Sequence, residues 1–341
     1  MKKKSLKIKS VCTAAAVLLS VTTAFICHGA MSVYAEEQQR EMSKAGDVVL
    51  YNSPNPNPET FNVPTQVYGI NGDFFIVDAY NQQILYTDSY YNEPAKWNLM
   101  ADKLYRPHAI ASDGTIYMVV DTDNNRVVTY AKNETGFQVV ETFENVGIRP
   151  HYVEYDAATK QFYVWSSMTG TMYIYKRNTS GLGVTLKKTA YIKSLDGSYT
   201  RSFTIDGNNI YFPSMGKNAI YVVNKSSFKV KNIYSVSSEL GGMVQIRHEQ
   251  NYYYLVTSSD ASGDQSKATI VRSKSLAGFV EGGYEDIREK FEELDGVPYY
   301  ISHLGDGHYY TPVIVGQTSP YICRFDIVDD EITNVINLKY Y

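Results

Sequence analysis

The sequence predicts an all-β protein, a six-bladed β-propeller of four-stranded antiparallel blades, and three observations carry that prediction. Strand–turn–strand units recur along the chain, the first two stand in ungapped register 43 residues apart, and Tyr is far above average at 31 of 341 residues. Internal repeats of this size belong to propellers or solenoids. A linear solenoid needs polar capping repeats, and none is recognisable here. Tyr suits a half-buried pleated surface, and it also builds amphipathic contact surfaces at binding sites.

The elements follow in order. Lys2, Lys3, Lys4, Lys7 and Lys9 precede an apolar run from Val11 to Cys27, and Val33-Tyr34-Ala35 has small residues where a signal peptidase reads. Residues 1–35 are therefore expected to be a signal peptide, with Glu36 as the mature N-terminus. The alternative is an uncleaved anchor, since the apolar run is near the lower length for a span. Residues 36–62 read as a polar lead-in and a Pro/Asn-rich linker, because Pro54, Pro56 and Pro58 remove ladder donors. Asp47 to Tyr51 is an expected strand packed on the sixth blade or its rim.

The propeller is expected over residues 63–341. Pro64 and Pro107 are 43 apart, and at that offset Val77-Asp78 falls on Val120-Asp121, Asn81 on Asn124 and Ile84 on Val127. Further copies start at Arg149-Pro150-His151, Arg201-Ser202-Phe203, Gly242-Met243-Val244 and Val297-Pro298-Tyr299. Six such units make six blades. Blade five carries an exception: Tyr284, Ile287, Phe291 and Leu294 have helical spacing, which predicts a short helical insertion at its outer edge.

Val120-Asp121-Thr122-Asp123-Asn124-Asn125-Arg126-Val127 resembles the NHL repeat, and Val77-Asp78-Ala79-Tyr80-Asn81-Gln82-Gln83-Ile84 is a looser copy. The resemblance covers two blades and implies a propeller; it carries no single activity, since that family includes binding modules, lyases and lactonases. The Asp, Asn and Arg of the motif read as structural turn residues. The run also begins like a calcium loop, but Arg126 stands where Gly is needed and Lys132 where a bidentate Glu is needed. His248-Glu249 lacks the second His of a zincin. The loop from Asp260 to Asp264 reads as solvated, with a cation as the alternative.

Composition narrows the partners. Removing the five leader lysines takes the formal charge from −4 to −9, a poor balance for nucleic acid. Cys323 is the single cysteine outside the leader, so no intrachain disulfide is expected, and it reads as a buried structural thiol. A secreted or cell-envelope monomer without stable membrane insertion is the expectation.

The functional candidates come from propeller geometry, because the start of each blade's first strand lines one channel mouth. Arg106, Arg149 and Arg201 are expected at equivalent positions, with His108 and His151 two residues on and Tyr152 and Tyr299 as stacking surfaces. Three guanidiniums at one mouth repel unless an anion sits among them. Pairing with Asp113 or Glu154 would make them packing staples instead. This set predicts binding of an anionic glycan, a peptide or another extracellular carbohydrate or protein ligand, with no resident cofactor. The alternatives are a metal-assisted lyase or lactonase, with His108, His151 and His303 on a divalent ion, and an architectural envelope protein.

Overall fold

The computed structural model describes residues 50–51, 53–291, 294–314 and 320–339. The expected signal peptide, residues 1–35, and most of the expected lead-in lie outside the described residues. None of the described helices is long and apolar enough to cross a membrane.

Six antiparallel sheets follow one another along the chain, each meandering from an inner to an outer strand. Blade one runs Pro64–Ile70, Asp73–Asp78, Gln83–Thr87 and Asn98–Ala101. Blade two runs Ala109–Ser112, Ile116–Asp121, Arg126–Asn133 and Gly136–Phe143. Blades three to six start with Pro150–Asp156, Thr204–Asp206, Met243–Glu249 and Ser302–His303. Middle strands are buried on both faces, as packing between blades requires: Ile116, Met118, Val119 and Val120 are fully covered.

Blade six ends in its own outer strand, Glu331–Leu338. The ring therefore closes by packing, without an exchanged strand. Tyr300 N–H reaches Thr65 O at 3.4 Å, Tyr310 lies against Phe74, and Leu304 fills the space beside Gly69, where a Cβ would sit 3.0 Å from Leu304 Cδ1.

One expectation is corrected. Leu50–Tyr51 pairs with Gln138 and Phe137 as a fifth strand on blade two, not on blade six. Blade five carries the expected short helical insertion, as a helix at Gly278–Glu281 and a 3-10 turn at Arg288–Phe291 on either side of the outer strand Glu285–Asp286. Ile287, Phe291 and Leu294 are buried as the spacing implies, and a turn delivers them inward as well as a helix does. Cys323 is buried, and burial pushes its thiol up to about 12.

The repeat motif staples blades one and two to their own entries. Asp121 Oδ1 accepts the Tyr105 N–H at 2.6 Å, while Oδ2 accepts from Asn124 Nδ2 at 2.8 Å and Arg126 Nε at 2.6 Å. Asp78 makes the same set with Asn62 N–H, Asn81 and Gln83. In blade three Ser166 Oγ takes over, accepting from Ile148 N–H at 2.9 Å. One carboxylate oxygen reaches back to the incoming backbone while the other holds side chains of its own turn and the strand that follows.

The channel is plugged midway. Tyr152 stacks edge-on to Tyr300, Gln245 Nε2 donates to Tyr152 Oη at 3.3 Å, and Gln66 and Gln245 accept the Ile110 and Ile301 N–H groups. Beyond the plug lies Glu154, whose carboxyl is pushed up to about 7 by burial against the opposing pull of Arg247. A carboxyl raised above its usual 4.5 stabilises the fold fully below that value, and the contribution is lost as pH rises through 7. Glu154→Gln should therefore melt close to wild type at pH 5 and higher than wild type at pH 8. The expected gain is up to about 3 kcal/mol, from about 1.4 kcal/mol per unit. Parallel melting curves with no pH-dependent gap would contradict this.

Candidate functional site

Three residues open the first three blades in a left-handed backbone conformation, Val63 (φ 56), Arg106 (φ 50) and Arg149 (φ 55). Each precedes a proline, 43 residues apart. That conformation is costly for residues with a Cβ, and the Asp78, Asp121 and Ser166 staples hold the preceding N–H in place. The strain thus projects Arg106 and Arg149 at the channel mouth.

Blade four departs from the expected register. Thr200 bridges Ser214 as Pro150 pairs with Ser166, so Tyr199 is the equivalent of Arg149, and it takes the positive φ of 38. Arg201 therefore occupies the position of His151, one step deeper than the expected arginine position. By the same pairing Tyr299 is the blade-six equivalent of His151, since Pro298 bridges Val313.

The three guanidiniums still converge. Arg106 Nη1 and Arg149 Nε each lie 3.2 Å from a different oxygen of Asp123, forming two partly exposed ion pairs. Arg149 and Arg201 both lie over the Tyr199 ring, at 5.6 and 5.5 Å from its centroid. Arg106 covers the exposed rings of Tyr80 and Tyr105. Among the described residues Arg201 meets no carboxylate: Nη1 donates to Ser258 Oγ at 2.5 Å, and its buried Nε makes no hydrogen bond. Asp123 thus pairs with two of the three cations. Asp113 and Glu154, the expected staples, lie elsewhere: Asp113 pairs with Arg177, and Glu154 is beyond the plug.

Under the arginines, His108 and His151 pack with ring centroids 4.0 Å apart. Burial, reinforced by the nearby arginines, holds His108 down at about 3 and His151 well below the usual imidazole range. Both are neutral, and the hydrogen bonds assign a tautomer to His151. Its Nδ1–H donates to Tyr300 Oη at 2.9 Å, Tyr300 donates to Arg201 O at 3.2 Å, and Tyr199 O–H donates to Nε2 at 3.4 Å. His108 Nδ1 faces Arg106 O at 2.8 Å.

The remaining candidates divide. Tyr299 belongs to the mouth, 6.4 Å from His108 between ring centroids. Tyr152 does not: the strand carries it into the plug, where it cannot stack on a ligand at the mouth. His303 also stays apart, four residues further along blade six, stacked on Tyr309 and near Glu249. Among the described residues no three His, Cys, Asp or Glu side chains come together as a metal site. His108, His151 and His303 therefore do not fit a divalent ion. The Asp260 loop is satisfied internally, since Oδ1 accepts from Ser262 N–H, Ser262 Oγ and Asp264 N–H.

Sequence reasoning missed Asp123, Tyr199, Ser258 and Tyr300. Asp123 was visible in the blade-two turn, which reaches the same rim as Arg106. Tyr199 carried no proline or arginine label to mark its position.

No protein-family model matches the chain, and no curated protein matches its sequence. Solved structures share the fold. A candidate 6-phosphogluconolactonase from Bacteroides fragilis superposes with a TM-score of 0.58 at 10% identity, covering 87% of this chain and 96% of that one. A similar candidate from Bacteroides uniformis gives 0.55 at 9% identity, covering 85% and 87%. A streptogramin B lyase gives 0.53 at 12% identity, covering 85% and 86%.

Proposed function

We propose that this propeller is an exported binding module that captures a small anionic ligand, a sugar acid or the acidic end of a glycan, among Arg106, Arg149 and Arg201. The observation that supports this reading is charge: two of the three guanidiniums share one carboxylate, and the third, Arg201, has a buried Nε without a hydrogen bond. An anion would take those donors and relieve the repulsion among the cations. Tyr80, Tyr105 and Tyr199 offer ring faces beside the charges. The neutral histidines add no competing charge.

Calorimetric titration of the full chain with glucuronate and gluconate tests this. Binding of both acids is expected, weakening as salt rises because the arginines at the rim are partly exposed. Salt-independent affinity, or no binding of either acid, would count against the reading.

A second reading, lactone or lyase chemistry at the same mouth, draws on one observation. Tyr199 O–H points at the neutral His151 Nε2 beside the arginines, so a phenol and a base stand next to the proposed anion site. The names of the structural neighbours agree with that direction. Turnover of sugar-acid lactones that is lost in Tyr199→Phe would favour it over binding alone.

A further inference from the structure

Beyond the plug the channel opens again. Strand pairing brings one residue from each blade to this second layer: Tyr68, Ala111, Glu154, Thr204, Arg247 and Ser302. Glu154 is three residues past His151, about 10 Å at 3.3 Å per residue. Five of the six, all but Thr204, line a cavity of about 160 Å³, which His303 also lines. At about 30 Å³ per liquid water this is space for roughly five waters, enough for one small polar molecule. The partition of Tyr152, Tyr300, Gln66 and Gln245 stands between it and the arginine mouth.

The chemistry here differs from the arginine mouth. Arg247 is already neutralised: Nε and Nη2 donate to Glu249 Oε1 at 2.9 and 2.5 Å, and Nη1 reaches Ile301 O at 3.4 Å. An anion therefore finds no uncompensated cation. Glu154 has one long hydrogen bond, from Ile205 N–H to Oε2 at 3.3 Å, leaving most of its acceptor capacity for the cavity. His303 stacks face to face on Tyr309, giving the wall a flat face. An acceptor carboxyl, guanidinium donors and a ring face together suit hydroxyl groups on a compact carbon frame.

We propose that this cavity is a second binding site, independent of the arginine mouth, for a neutral polyhydroxy ligand such as a single sugar ring or a cyclic polyol. Glu154 accepts hydrogen bonds from ligand hydroxyls, and Arg247 and Ser302 face the remaining oxygens. The raised proton affinity of Glu154 is what an under-satisfied carboxyl in such a cavity shows in the absence of ligand.

Saturation-transfer NMR and calorimetry with D-glucose, D-galactose and myo-inositol on the full chain provide the test. At least one probe is expected to bind wild type in the millimolar range. Glu154→Gln, its fold checked by melting, should weaken that binding about tenfold or more, as expected for loss of a charged acceptor, while Arg149→Ala leaves it unchanged. Hydrogen exchange on wild type should slow around Tyr68–Gly69, Glu154–Tyr155 and Ser302–Leu304 when the probe is added, independently of any variant. No binding by all three probes, equal binding in Glu154→Gln, or protection at residues 105–108 instead would overturn the proposal. Because Arg149→Ala reports on the other mouth, failure of one site is distinguishable from failure of the other.

Discussion

Asp121→Ala should destabilise the fold by about 3 kcal/mol, the lower end of the range for breaking a buried charged pair. The carboxylate is fully buried and holds three donors at once: the Tyr105 N–H, Asn124 Nδ2 and Arg126 Nε. Removing it leaves Arg126 beside an empty acceptor and releases the backbone that fixes Arg106 in its left-handed conformation. Arg126 is partly exposed, and its second contact with Glu144 is long at 3.5 Å, so water relieves part of the cost. Asp121→Asn should lose less, because its carbonyl oxygen still accepts the Tyr105 N–H. Chemical denaturation of the three proteins measures this, and a loss under about 1 kcal/mol for Asp121→Ala would mean that the motif does not staple the blade.

Arg149→Ala should do the reverse, leaving stability nearly intact and removing affinity. Its ion pair with Asp123 is partly exposed, and such pairs contribute about 0–1 kcal/mol. Alanine keeps the positive φ no less comfortably than arginine, so backbone strain does not change. A hydrogen bond to a charged ligand group is worth about 1.5–3 kcal/mol. At 1.4 kcal/mol per factor of ten, loss of the guanidinium should weaken glucuronate or gluconate about tenfold to a hundredfold. Equal affinity with a clear drop in melting temperature would make Arg149 a packing staple.

The architecture was legible where the repeat is dense. Pro64, Pro107 and Pro150, with Asp78 and Asp121, mark one backbone geometry, and their 43-residue spacing reports it directly. Blade four was misread because Arg201 matched Arg149 in type. Register is set by strand pairing, and Thr200 opposite Ser214 puts Tyr199 in that place. The blade-five spacing was legible because burial of Ile287, Phe291 and Leu294 needs each to point inward, which the 3-10 turn at Arg288–Phe291 and its flanks achieve. The edge chosen by Leu50–Tyr51 was not readable, since every blade offers an outer strand with unpaired backbone groups. At the site, the convergence of arginines and histidines followed from propeller geometry. Asp123, which two arginines share, emerged only once the turn of blade two was placed beside the entry of blade three.

The most direct test of the central claim is a titration of Asp123→Asn with glucuronate. Asp123 is the carboxylate that Arg106 and Arg149 now share, so it competes with any anion for them. Replacing it with a neutral amide adds one net positive charge to the mouth. If the arginines form an anion site, affinity should rise by at least about 1 kcal/mol, or about fivefold, the scale of one charge about 4 Å away in bulk water, with the gain shrinking as salt increases. Unchanged or weaker binding in Asp123→Asn, in a protein that melts like wild type, would contradict the account.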